Sequence, residues 1–95
     1  MAQESNSKVV ITVVGKDTVG IIAAVTAYLS ENGINVLDIS QTIVGGFFNM
    51  MMIADLATGS IPFDECAGSL KDIGEKIGVE IRCQREEIFE MMHRI

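Results

Sequence analysis

The sequence predicts an α+β fold: a ferredoxin-like βαββαβ sandwich whose antiparallel sheet has the order 4-1-3-2, with two helices on one face and a short C-terminal helix. Three observations point there. Residues 9–14 and 47–54 are apolar on both faces, as strands in the middle of a sheet must be. Residues 37–43 and 79–84 alternate apolar with polar, the pattern of half-covered strands at the edges. Two stretches of helical spacing lie between them, and right-handed crossovers carry both to the same side of the sheet.

Each element has its own local reason. Val9-Val10-Ile11-Thr12-Val13-Val14 reads as the first strand because branched side chains pack well on a pleated surface, and Gly15 with Lys16-Asp17 is expected to break it. The first helix is expected to take Asp17 or Thr18 as its N-cap and to run to about Glu31, where Asn32-Gly33 stops it. Gly20 leaves its first turn without a side chain, and Ile21, Val25, Tyr28 and Leu29 form its inner stripe. Leu37, Ile39 and Ile43 alternate with Asp38, Ser40 and Thr42 in the second strand. Gly45-Gly46 is a hairpin signal, so the third strand, from Phe47 to Ala54, pairs antiparallel with the second.

Ser60-Ile61-Pro62-Phe63-Asp64-Glu65 opens the second helix, with proline in its first turn and acids near the positive end of the dipole. Phe63, Cys66, Ala67, Leu70, Ile73 and Ile77 form its apolar stripe. Gly78 releases the chain into a fourth strand, where Val79, Ile81 and Cys83 alternate with Glu80, Arg82 and Gln84. After Arg85, Ile88, Phe89, Met92 and Ile95 share one broad face of the expected terminal helix and point toward protein. The sheet face away from the helices is expected to carry Val10, Val14, Met50 and Met52 without charged cover, which predicts a partner on that face or at an edge.

With 95 residues the chain is expected to be a single domain over 1–95, with 1–7 a flexible N-terminus, and oligomerisation would be a useful source of further burial. Thirteen acidic against seven basic residues give a net charge of −6, which excludes the basic footprint of a nucleic-acid-binding protein. The polar start, Met1-Ala2-Gln3-Glu4-Ser5-Asn6-Ser7, has no signal-peptide pattern, and no apolar run is long enough to span a bilayer. A cytoplasmic protein without membrane partners is expected. Cys66 and Cys83 match neither a metal motif nor a disulfide framework, and are read as reduced, buried thiols.

The chemistry-bearing residue types do not assemble into a catalytic pattern. Met50, Met51 and Met52 alternate between strand faces and cannot converge on one metal. His93 is the sole histidine, with no ligand or nucleophile near it in sequence, and Glu86-Glu87 favours the positive end of a helix. Ile21-Ile22 stands where a phosphate-binding loop needs lysine followed by serine or threonine. Neither enzymatic activity nor a metal or cofactor is expected.

The succession Gly15-Lys16-Asp17-Thr18-Val19-Gly20-Ile21-Ile22-Ala23-Ala24-Val25 resembles the opening of an ACT domain, a small regulatory module that typically senses amino acids. The likeness continues through Asn32-Gly33-Ile34-Asn35-Val36-Leu37-Asp38-Ile39-Ser40-Gln41. It reaches Arg85-Glu86-Glu87-Ile88-Phe89 and Met92-His93-Arg94-Ile95, which look like the tail of small stand-alone bacterial and archaeal ACT proteins. These are similar in turn to regulators of glycine-cleavage gene expression.

The resemblance implies a ligand site at a subunit interface, formed by Lys16, Asp17, Thr18, Val19, Gly20 and Ile21 with Asn35, Val36, Asp38 and Ile39. Helix-start N–H groups suit a carboxylate, and Asn35 or Asp38 suits an ammonium group. Each residue also has a plainer reading: Gly15 and Gly20 as turn and packing glycines, Asn35 as a turn residue, Asp38 as a solvated edge residue. The implied protein is a homodimer or higher homo-oligomer that senses an amino acid or similar metabolite. The alternative is a ligand-free ACT module acting through a protein partner.

Overall fold

Alternating branched residues make a strand of Lys8–Lys16 (β1), the centre of the sheet in the computed structural model, which describes residues 7–16 and 20–87. The chain continues through α1 (Ile21–Glu31), β2 (Asn35–Val44), β3 (Phe47–Asp55), a 3₁₀ turn (Leu56–Thr58), α2 (Phe63–Ile77) and β4 (Glu80–Arg85). The sheet order is β2-β3-β1-β4, and every pairing is antiparallel. This is the expected 4-1-3-2 order: the two strands that are apolar on both faces occupy the middle.

The register sorts side chains by face. Val9, Ile11 and Val13 of β1 stand beside Ala54, Met52 and Met50 of β3, and Ile11 and Val13 stand beside Cys83 and Ile81 of β4. This set is buried in one cluster with Ile21, Val25 and Leu29 of α1 and Cys66 and Leu70 of α2, so both helices cover the same face. The opposite face carries Val10, Val14, Met51 and Phe47. Met50 and Met52 therefore belong to the helix-covered core, not to the open face as expected; in a run of three methionines composition gives no parity, and pairing with β1 decides it. Val10 is an exception on the open face: only 3% exposed, it lies outside the helix-side cluster.

Three local expectations are corrected. The first strand does not break at Gly15 but pairs on to Lys16, and a Cβ on Gly15 would come within 2.8 Å of Val79 Cγ1, so this glycine lets β1 and the chain entering β4 approach closely. Neither Asp17 nor Thr18 caps α1. Gly20 is the N-cap, at φ 94° and without a side-chain cap, one residue before the helix and not inside its first turn. Pro62 likewise stands at the N-cap of α2 just outside it, while Asp64 and Glu65 lie in the first turn and Gly78 ends the helix at φ 83°. The expected C-terminal helix, with Ile88, Phe89, Met92, His93 and Ile95, lies outside the described residues except for Glu86 and Glu87. No helix among the described residues is long and apolar enough to cross a membrane.

Candidate functional site

The helix α1 begins on a glycine, so its cap residue places no side chain over the first N–H groups. The first intrahelical bond is Ala24 N–H to the Gly20 carbonyl at 2.9 Å, which leaves the N–H groups of Ile21, Ile22 and Ala23 without helical acceptors. A Cβ built on Gly20 meets nothing within 4 Å. The absence of a side chain is thus required by the positive φ, and it also keeps the space before the helix open. Lys16, exposed, ends β1 at the same pole of the sheet, opposite Phe47. Ile21 is buried and anchors the first turn in the core. Asp17, Thr18 and Val19 lie outside the described residues.

The second half of the candidate site is built at the other pole. Asn35 opens β2 opposite Asp55, and its N–H donates to Thr58 Oγ1 at 3.1 Å, while that hydroxyl donates to the Asp55 carbonyl. The Asp55 carboxylate accepts from Ser7 Oγ at 2.6 Å and from the Ala57 N–H at 2.9 Å. These hydrogen bonds, that of Ser7 first, hold the Asp55 carboxyl below its ordinary value. Asp55 therefore ties the residue before β1 and the 3₁₀ turn through its carboxylate, and the start of β2 through its backbone carbonyl and the Thr58 hydroxyl. Val36 is half-buried against the core, and Leu37 forms a bulge between Val36 and Asp38. Past the bulge, Asp38 lies exposed opposite Ile53, and its Oδ1 accepts the Ile39 N–H at 2.9 Å.

One protomer does not bring these halves together. Because β1 and β2 both pair antiparallel with β3, they run parallel to each other, and α1 returns the chain from one pole to the other. Gly20 and Asn35 are thus separated by the length of an 11-residue helix, roughly 16 Å. Between the poles, the outer edge of β2 pairs with no strand among the described residues and is apolar: Ile39 and Ile43 share the helix-covered face with Met52 and Phe48, yet are 44% and 59% exposed, and Val44 beside them is 67% exposed. The helix layer stops short of this edge.

Two concavities had no signal strong enough to be read from sequence. A shallow depression of about 270 Å³ on the open face is lined by Thr12, Val14, Ser40, Thr42, Asn49 and Met51. Two of its three hydroxyls, those of Ser40 and Thr42, come from the polar half of the β2 alternation, which reads equally well as a solvated edge. A larger one, about 450 Å³, lies beside β4 between Lys71, Glu75, Val79 and Arg82, with Arg82 Nε bonded to Glu80 Oε2 at 2.8 Å. No group of three or more potential metal ligands occurs among the described residues.

Two helices on one face of a 2-3-1-4 antiparallel sheet make the ferredoxin-like form of a small α+β domain. Residues 7–84 match the ACT domain family, and the chain belongs to it. It is 63% identical over 89 residues to a UPF0237 protein of Bifidobacterium longum, covering 94% of this chain and 99% of that one. An ACT domain protein from Streptococcus pneumoniae superposes with a TM-score of 0.76 at 37% identity, over 87% of this chain and 93% of that one. A putative glycine cleavage system transcriptional repressor, of which the match spans 44%, superposes over 82% of this chain with a TM-score of 0.70 at 25% identity.

Proposed function

We propose that this chain, as one ACT domain over 1–95, is a non-enzymatic cytoplasmic regulator. In this reading it binds an amino acid at sites shared between the two copies of a homodimer. The observation that supports the reading is the placement of the two half-sites at opposite ends of one edge strand. A second copy pairing antiparallel along β2 sets the Asn35 end of one protomer beside the Gly20 end of the other, and in the same step covers Ile39, Ile43 and Val44. The ligand carboxylate then lies at the N–H groups of Ile21, Ile22 and Ala23, with the loop of Lys16, Asp17, Thr18 and Val19 beside it. Its ammonium group faces Asn35 and the carboxylate of Asp38 from the partner, between Val36 and Ile39. Binding across the interface favours the dimer geometry that makes both halves meet, which is how a ligand changes affinity for a downstream partner.

A thermal-shift screen of the common amino acids tests this reading, the expected result being a stereoselective rise of the melting midpoint for one or a few of them. Asp38→Asn should then weaken binding by removing a charge-assisted contact worth about 1.5–3 kcal/mol, read by calorimetry. A flat screen would leave the ligand-free module acting on a protein partner as the better account.

A further inference from the structure

The sheet face away from the helices is sealed at one pole and bare at the other. On β1, Val10 is 3% exposed, whereas Val14, further along the same face, is 47% exposed. On β3, Ile53 beside Val10 is half-buried, while Met51 and Phe47 are exposed. Side chains of the adjacent strands do not explain this difference. Thr12, in the centre of the face between the long side chains of Arg82 and Met51, is still only half-buried. Val10, nearer the end of the sheet and flanked by Gln84 and Ile53, is more completely covered. Both described helices lie on the other face, and Val10 is covered within a single chain, so its cover comes from another part of that same chain.

We propose that the Val10 pole of the open face is the docking surface for the chain's own C-terminal segment, residues 88–95. β4 runs antiparallel to β1, and its last residue, Arg85, stands opposite Val9, so the chain leaves the sheet beside Val10. Glu86 and Glu87 turn as helix there, and Glu86 is half-buried. Continued over the remaining eight residues, that helix places Ile88, Phe89, Met92 and Ile95 on one side and Glu90, His93 and Arg94 on the other. Its length, roughly 12 Å, is enough to cross from β4 over β1 to β3, since neighbouring strands lie about 4.8 Å apart. The apolar side then meets Val10 and Ile53, and the polar side faces water. The residues that lead into β1 at the same pole, Met1-Ala2-Gln3-Glu4-Ser5-Asn6, offer no comparable apolar stripe. Docked at this pole, the segment leaves Val14, Met51 and Phe47 open and stands in the way of a second copy stacking flat on the face. The apolar edge of β2 is untouched by it, and docking needs no ligand.

Nuclear Overhauser contacts in the full-length wild-type protein, without ligand, provide the test. In isotope-labelled protein the Val10 methyls should give cross-peaks to the side chains of Ile88, Phe89, Met92 or Ile95. A sample mixing labelled with unlabelled chains, read through an isotope filter, should show no such cross-peaks between chains. If the Val10 methyls contact only residues of the sheet, or residues 1–6 in place of 88–95, the proposal is overturned. It is overturned equally if the contacts to 88–95 arise between chains, since the segment then covers a second copy. The wild-type spectra decide, so no variant has to fold.

Discussion

At Gly20 a single backbone angle carries most of what is distinctive about the candidate site. At φ 94° any L side chain is strained, so Gly20→Ala and Gly20→Leu share a backbone cost of about 1–2 kcal/mol. They differ only in how far they reach into the space before α1, where a new Cβ has no contact within 4 Å among the described residues. Both variants should therefore lose similar stability, and any additional loss of ligand affinity in the leucine variant measures obstruction of the site. Equal affinities by calorimetry would place the ligand elsewhere. Gly15, by contrast, is a packing glycine, pressed against Val79. Nothing in the sequence separates these two glycines: one answers to a local torsion and the other to a contact with a residue more than sixty positions away.

Asp55 is the other residue whose role exceeds its size, because it joins β1, the 3₁₀ turn and the start of β2. Its carboxyl is depressed in the folded chain, chiefly by Ser7, so its contribution to stability is complete above the unfolded value of about 3.9 and is lost as pH falls through the lower folded value. Asp55→Asn should lower the melting midpoint at neutral pH, by about 1 kcal/mol in stability, and should flatten the acid limb of the stability profile. A variant with the same midpoint and the same acid limb would show that the two bonds to Oδ1 are not stabilising.

Among the elements, those with a strong pattern were legible and those set by register were not. The apolar runs of β1 and β3 put them in the middle of the sheet, and Gly45-Gly46, both at positive φ, made the hairpin unambiguous. The start of α1 was misread because Asp17 and Thr18 are good caps by composition, whereas the helix begins where Gly20 turns the chain. The bulge at Leu37 shifts β2 relative to β3, so the alternation of the second strand does not by itself say which residues face the helices. The segment after Arg85 is tested directly by truncation there. Val10, almost fully buried on the open face, needs apolar cover, and that segment is rich in it. Loss of an interaction like that expected of Phe89, about 2 kcal/mol, should lower the midpoint by about 4–8 °C per kcal/mol. An unchanged midpoint would make the segment energetically irrelevant.

At the scale of the molecule, the proposed pairing of two copies rests on the exposed apolar edge of β2. Ile43→Glu puts a charge beside Ile39 on the outer edge of β2, at a position 59% exposed in the protomer. Sedimentation at micromolar concentration should give a dimer for the native chain and a monomer of unchanged fold for the variant. A native monomer would refute the edge as an interface, and a dimeric variant would move the interface elsewhere. The candidate site was legible only in part for the same reason: the resemblance supplied its residues, but their positions at opposite poles emerge only when the strands are laid in order.

The parallel course of β1 and β2 has a consequence for stoichiometry. Under two-fold pairing along β2, each protomer lends its glycine pole to one pocket and its Asn35 pole to the other. A hybrid of one Gly20→Leu protomer with one Asp38→Asn protomer then holds one pocket carrying both lesions and one carrying neither. Each such hybrid would recover half the native binding capacity at native affinity, although each parent alone binds weakly at both pockets. Damage in such a protein is counted per pocket, not per chain.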